Sequence, residues 1–171
     1  YTSLFSEFYE LLNFLKNEPK FFINKITNLD INQIVELFNF EVQKSWDYSD
    51  EEKIASISKR DYSYYKEKLN DDKWIILCAK QWNKVIWLLE VSIESDYNNK
   101  FFAHSRWMII HSDFKRKWVW QKLKKELEKR LLSNEIDYIE VHVKVTNLVS
   151  IHINKILLYQ EIDNNNWIIT F

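Results

Sequence analysis

Residues Met108–Leu132, MIIHSDFKRKWVWQKLKKELEKRLL, decide the reading of the fold. The run Met108–Ile110 has strand character, and a charged turn follows at Asp113–Lys117. A helix comes next. Val119, Leu123, Leu127 and Leu131 recur at helical spacing, while Lys122, Lys124, Lys125, Glu126, Glu128, Lys129 and Arg130 fill the other sides. Strand, basic turn and helix in this order aim a helix N-terminus at an anion, because the unpaired N–H groups and the helix dipole both favour phosphate there. Lys115, Arg116 and Lys117 stand just before the helix and add to that field.

On these residues the chain resembles the GNAT superfamily of acetyl-CoA-dependent N-acetyltransferases. The central motif of that family is a strand ending in V-x-P-x-[YF], then [RQ]-x-x-G-x-[GA], then a helix. Ile110 falls on the Val, Ser112 on the Pro, Phe114 on the aromatic and Lys115 on the Arg/Gln. Trp118 and Trp120 fall on the two glycines. The resemblance implies that acetyl-CoA is held along this loop, by Ile110, His111, Ser112, Lys115, Arg116, Lys117, Trp118, Val119 and Trp120.

The tryptophans are a systematic departure. The chain has Gly 0 and Trp 8 in 171 residues, where average usage of about 7% would give roughly a dozen glycines. Trp82 and Trp87, in QWNKVIWLLEV, sit where the family commonly reads D-G-K-V-I-G. Trp167 follows three asparagines at an expected turn, a usual place for glycine, and Trp107 is a looser match. The codon UGA means glycine in some bacteria and tryptophan in others. One reading is therefore that several of these positions are glycine in the native protein. The other is a divergent member with real indoles in these places.

Length and composition describe a single globular domain with a sizeable core: 171 residues, 46% hydrophobic, 29% charged. A net charge of −1 argues against nucleic acid or a membrane as the main partner. No long apolar run and no secretory signal pattern is present, so a cytoplasmic protein is expected. Cys78, among Ile75–Leu77 and Ala79, reads as a buried strand thiol.

Residues 1–20 read as an N-terminal helical extension closed by Pro19, and the resemblance implies that 21–171 is the acetyltransferase domain. Phe21–Ile26 is a first strand, and Asn28 or Asp30 caps a helix from about Ile31 to Lys44. Helical stretches follow at 50–59 and 62–69, with Tyr62, Tyr64 and Tyr65 on the second. Ile75–Lys80, Lys84–Ser95 and Phe101–His111 form an antiparallel meander. Tyr138–Val145 alternates as a strand, and the helix before it makes its pairing with 101–111 parallel. Tyr159–Ile162 and Trp167–Phe171 form a closing hairpin. Between them, NLVSIHINKILLY resembles the family's N-x-x-[AS]-I-x-L-[YN]-x-[KE]-L-G-F, with Leu157 and Leu158 in place of Gly and Phe.

The fold expected is therefore a mixed α/β GNAT-like one, a mostly antiparallel sheet of six or seven strands flanked by helices. The resemblance implies acetyl transfer from acetyl-CoA to a primary amine, by a monomer or homodimer. It gives the Ile110 backbone N–H the thioester carbonyl and Asn147 the pantetheine arm, a helix cap being the other reading of Asn147. Many members place a thiolate-protonating Tyr where this chain has Asn154, leaving Tyr159 or solvent as the acid. Candidate bases are His104, Glu90, Glu94 and His111; His104 has the ordinary pKa suited to a base near neutrality, and its other reading is a strand-surface histidine with no chemistry. The histidines show no metal-ligand spacing, so no metal is expected. The alternatives are an inactive acyl-CoA-binding or interaction module and, further off, a nucleic-acid binder using the basic helix.

Overall fold

The computed structural model describes residues 21–114, 119–132, 136–144, 147–156, 158–162 and 166–170; at 119–121, 149, 153 and 166–170 it describes the backbone. The chain runs β1 Phe22–Lys25, α1 Ile31–Lys44, α2 Asp50–Ser58, α3 Tyr62–Leu69, β2 Trp74–Gln81, β3 Lys84–Ser95 and β4 Phe101–Ile110. It continues with α4 Val119–Leu132, β5 Tyr138–His142, α5 Leu148–Ile156, β6 Gln160–Glu161 and β7 Asn166–Thr170. The proposed helical extension at 1–20 lies outside the described residues. Among the described residues seven strands make one sheet, ordered β1-β2-β3-β4-β5-β7-β6. Every pairing is antiparallel except β4 with β5.

Each sheet face carries its own core. On one, α1 and α3 set Ile34, Phe38 and Tyr65 against Ile76, Leu88 and Ile109. On the other, α4 sets Leu123, Leu127 and Leu131 against Leu89, Ala103 and Ile139. Strands covered on both faces need apolar residues at both parities, which is why β3 carries Val85–Leu89 without interruption. Cys78 is buried and free, as a strand thiol.

The helix starts use local carboxylates. Asp30 does not cap α1 by accepting from its first N–H groups. It reaches back to the Thr27 N–H at 2.9 Å and pairs with Lys80 at 2.5 Å. Ser49 and Glu52 form a reciprocal capping box on α2.

Several sequence expectations shift. Strand β5 ends at His142, short of Val145. Trp167 lies inside β7, paired with Val141 and Glu161, and so is not in a turn. After α5 the positive φ of 62° falls at Leu158, and the buried aromatic that follows is Tyr159. The family's Gly-Phe step therefore maps onto Leu158-Tyr159, one residue later than the expected Leu157-Leu158.

One irregularity shapes the centre of the sheet. Glu90 pairs with Trp107, but Val91 pairs with Ser105, so Arg106 is an extra residue in β4. Such a bulge bends its strand and shifts the alternation of faces. His104 and Trp107 therefore share the α1–α3 face, three positions apart. Pairing of β4 with β5 covers Phe102–Ser105 only. The two strands part where the bulge begins.

Candidate active site

The parting opens a cleft of about 860 Å³, within the range of small-molecule and cofactor sites. Its walls are β4 from Ser105 to Ile110, the end of β5 with the residues after it (Val141–Lys144), the end of α1 with Trp46–Tyr48, and Lys124, Asn147 and Asn154 from the α4–α5 side. The strand register aims backbone donors into it. His111 N–H donates to Ile86 C=O at 2.9 Å. In an antiparallel ladder the neighbouring residue then turns its N–H and C=O to the other side. Ile110, and Met108 two residues earlier, therefore face the gap left by β5.

The motif residues divide. Asn147 lines the cleft while its Oδ1 accepts the Ser150 N–H at 3.0 Å, so it caps α5 as well. Asn154 lines the cleft, is 2% exposed, and accepts from Lys124 Nζ at 2.7 Å. Ser112 N–H donates to Glu41 Oε1 at 2.7 Å and is committed there. The His111 ring points elsewhere. It stacks on Phe40 and shares a separate cavity with Gln33 and Lys84. Lys115, Arg116, Lys117 and Trp118 lie outside the described residues. At Val119 and Trp120 the backbone is the first turn of α4.

The acceptor side is aromatic. Trp107 packs against Phe38 and Tyr48, and the Arg60 guanidinium lies 5.0 Å from its ring. Behind this wall Glu90 is fully buried. It accepts from Arg60 Nε at 3.2 Å, Tyr65 OH at 2.6 Å and Tyr64 OH at 3.4 Å. Burial pushes the Glu90 carboxyl upward, against the pull of Arg60 and the tyrosines. Tyr64 and Tyr65 thus hold Glu90, and Tyr62 is exposed. Lys144 holds Glu52 at 2.8 Å and the Asp47 carbonyl at 2.9 Å, tying α2 and its loop to the cleft.

His104 sits on β4 beside the cleft, 9% exposed. Its ring lies 4.5 Å from that of His142, and Glu140 is its register partner on β5. Burial first, then Arg106 and His142, push its pKa below the ordinary histidine value, which favours the neutral imidazole. Glu94 pairs with Arg106 and accepts from Ser92 Oγ. The ligating atoms of His104, Glu140 and His142 lie within 4.8 Å of one another. Sequence spacing missed that grouping because it forms across two parallel strands.

Sequence reading also missed Arg60, Tyr48, Lys144 and above all Lys124. It put Lys124 on the solvent side of α4, whereas the residue is 3% exposed. The signal was the spacing: Lys124 lies three residues before Leu127 and seven before Leu131, on the stripe that those leucines bury.

No protein-family model matches this sequence, and no curated protein matches it. Solved structures do match its shape. PaiA N-acetyltransferase from Thermoplasma acidophilum, in complex with coenzyme A, is 15% identical and has a TM-score of 0.78, covering 89% of this chain and 99% of that one. Ribosomal-protein-alanine N-acetyltransferase from Brucella melitensis is 13% identical with a TM-score of 0.71, covering 88% and 99%. A GNAT-family acetyltransferase from Streptococcus pneumoniae is 12% identical with a TM-score of 0.69, covering 89% and 99%. At these identities the likeness establishes the architecture. The chain has the GNAT acetyltransferase fold.

Proposed function

We propose that this chain transfers an acetyl group from acetyl-CoA to a primary amine. The observation that carries the reading is the cleft where β4 and β5 part, with the Ile110 N–H turned into it. A backbone donor fixed on a strand is preorganised for the charge that develops on a thioester oxygen. Asn147, at the cleft wall, holds the pantetheine arm, and the basic segment 115–117 meets the phosphates.

The acceptor enters along the wall of Trp107, Tyr48 and Asp47. His104 takes its proton. Its lowered pKa favours the neutral imidazole that a base needs, and Glu140 and Glu94 stand ready to stabilise the imidazolium that forms. Glu90 has a supporting role, because Arg60, Tyr64 and Tyr65 enclose it and an acceptor amine has no approach to it.

The test is thiol release from acetyl-CoA in the presence of a panel of amines, together with calorimetry of coenzyme A binding. Micromolar binding and amine-dependent thiol release are expected. Binding without release for any amine would leave a coenzyme A-binding module. Neither binding nor release would end the acetyl-transfer reading.

A further inference from the structure

We propose that Lys124 is the acid of this reaction, its ammonium giving a proton to the coenzyme A thiolate as the acetyl carbon–sulfur bond breaks. The proposal rests on the acetyl-transfer reading above.

Lys124 lines the same cleft as Ile110, Asn147 and Asn154. Its Nζ donates to Asn154 Oδ1 at 2.7 Å and lies 4.1 Å from the centroid of the Tyr159 ring. Around it α4 supplies Leu123, Leu127 and, one turn on, Glu128, the acidic group that acts on it. Also close by among the described residues are Asn154 from α5 and Tyr159 after it, with Val141 at the end of β5 and Val143 just beyond it. In this corner Asn154 Nδ2 and the Tyr159 hydroxyl are buried without a hydrogen-bond partner among the described residues. Buried polar groups are normally paired, so a corner left open beside a cleft is built to be completed by what enters it.

The alternatives are poorer acids. Burial drives the Tyr159 hydroxyl further above its ordinary value, away from useful acidity. Asn154 has no proton to give at any accessible pH. Lys124 is different. Burial brings its ammonium down to about 7, against the opposing pull of Glu128. An acid poised near the working pH combines adequate population with adequate driving force. Its charge also stabilises the sulfur anion in a cleft that screens poorly.

The proton balance closes between His104 beside the cleft and Lys124 on its wall. The acceptor nitrogen attacks the thioester carbonyl and yields its proton to His104. The C–S bond breaks with its electron pair remaining on sulfur, and sulfur takes a proton from Nζ. Neutral Lys124 then recovers a proton from solvent, and His104 loses one.

The experiment compares wild type, Lys124→Met and Lys124→Gln. It records coenzyme A affinity by calorimetry and the kcat of thiol release from about pH 6 to about pH 9. Methionine fills the same apolar corner, and glutamine keeps a donor to Asn154; either variant that folds serves. Coenzyme A affinity is expected within about twofold of wild type, while kcat falls roughly 100-fold or more. Wild-type kcat is expected to decline as pH rises past about 7, and that ionisation to vanish from both variants. Variant rates within about threefold of wild type, on an unchanged pH profile, would overturn the proposal and leave acetyl transfer standing. Wild-type protein that releases no thiol with any amine would overturn the parent reading, and this proposal with it.

Discussion

At Trp82 the backbone turns through a φ of 57° with the indole 89% exposed. The residue takes the first place of the two-residue loop between Gln81 and Lys84, where hairpins that need positive φ prefer glycine. A left-handed conformation costs a non-glycine residue about 1–2 kcal/mol, and this indole gains no burial in return. Trp82→Gly is therefore expected to raise stability by about 1 kcal/mol, measured by urea unfolding. Equal or lower stability would show that the indole is not misplaced there. Trp87 poses the same question inside the core. It is fully buried, yet its Nε1–H has no partner among the described residues, and leaving such a donor unpaired costs about 1–3 kcal/mol. Glycine at 87 would in turn empty the space that the indole fills, so α4 would have to close on the sheet. We propose glycine at 82, 87, 118 and 120 in the native protein, to be read by peptide mass spectrometry from the native source; tryptophan at all four would falsify the decoding account. His104 makes a separate prediction. Its lowered pKa places the acid limb of kcat/KM below pH 6.5, and His104→Ala should remove that limb along with most of the rate. An unaltered profile would return the residue to a packing role.

Between β4 and α4 lies the basic segment that the acetyl-transfer reading assigns to phosphate. Replacing Lys115 and Arg116 together with Ala should weaken coenzyme A binding, each charge-assisted contact contributing about 1.5–3 kcal/mol. Unchanged affinity by calorimetry would sink that assignment. Elements of this kind were legible in the chain, because regular alternation and helical spacing follow from burial on one face. Helices Ile31–Lys44 and Tyr62–Leu69 emerged at their expected bounds for that reason. The bulge was not legible. Residues 104–108 carry no break in pattern, and the two-against-one pairing at Arg106 depends on the partner strand. The grouping of His104 with Glu140 and His142 was hidden likewise, since parallel pairing joins residues 36 and 38 positions apart (140 − 104 and 142 − 104). Lys124 was visible in the spacing but was discounted because lysine is polar. A buried cation is the kind of exception that composition rules conceal.

At the scale of the whole molecule, each face of the sheet holds a deeply buried charged side chain among the described residues: Glu90 under α3, and Lys124 on α4. Both titrate abnormally, and their effects on stability run in opposite directions with pH. Burial lowers Lys124 to about 7 from its ordinary 10.5. Between those values the unfolded chain holds a proton that the native protein has lost, so stability rises with pH. Below about 7 both states are protonated and the burial cost of the ammonium is fully present. Glu90 has the reverse sign. Its raised pKa means that, above the ordinary 4.5, the unfolded chain ionises while the native carboxyl resists, and stability falls as pH rises. Substitution separates the two terms. The stability of wild type relative to Lys124→Met should rise by on the order of 2 kcal/mol from about pH 7 to about pH 9, at about 1.4 kcal/mol per unit. Near neutrality the methionine variant should be the more stable protein, because a neutral side chain of similar length fills the corner without desolvating a charge. Relative to Glu90→Gln, wild-type stability should fall as pH climbs from about 4.5. Urea midpoints at a series of pH values measure both differences. Parallel curves for wild type and Lys124→Met would mean that the amine reaches solvent in the native protein, and the buried acid would lose its physical basis.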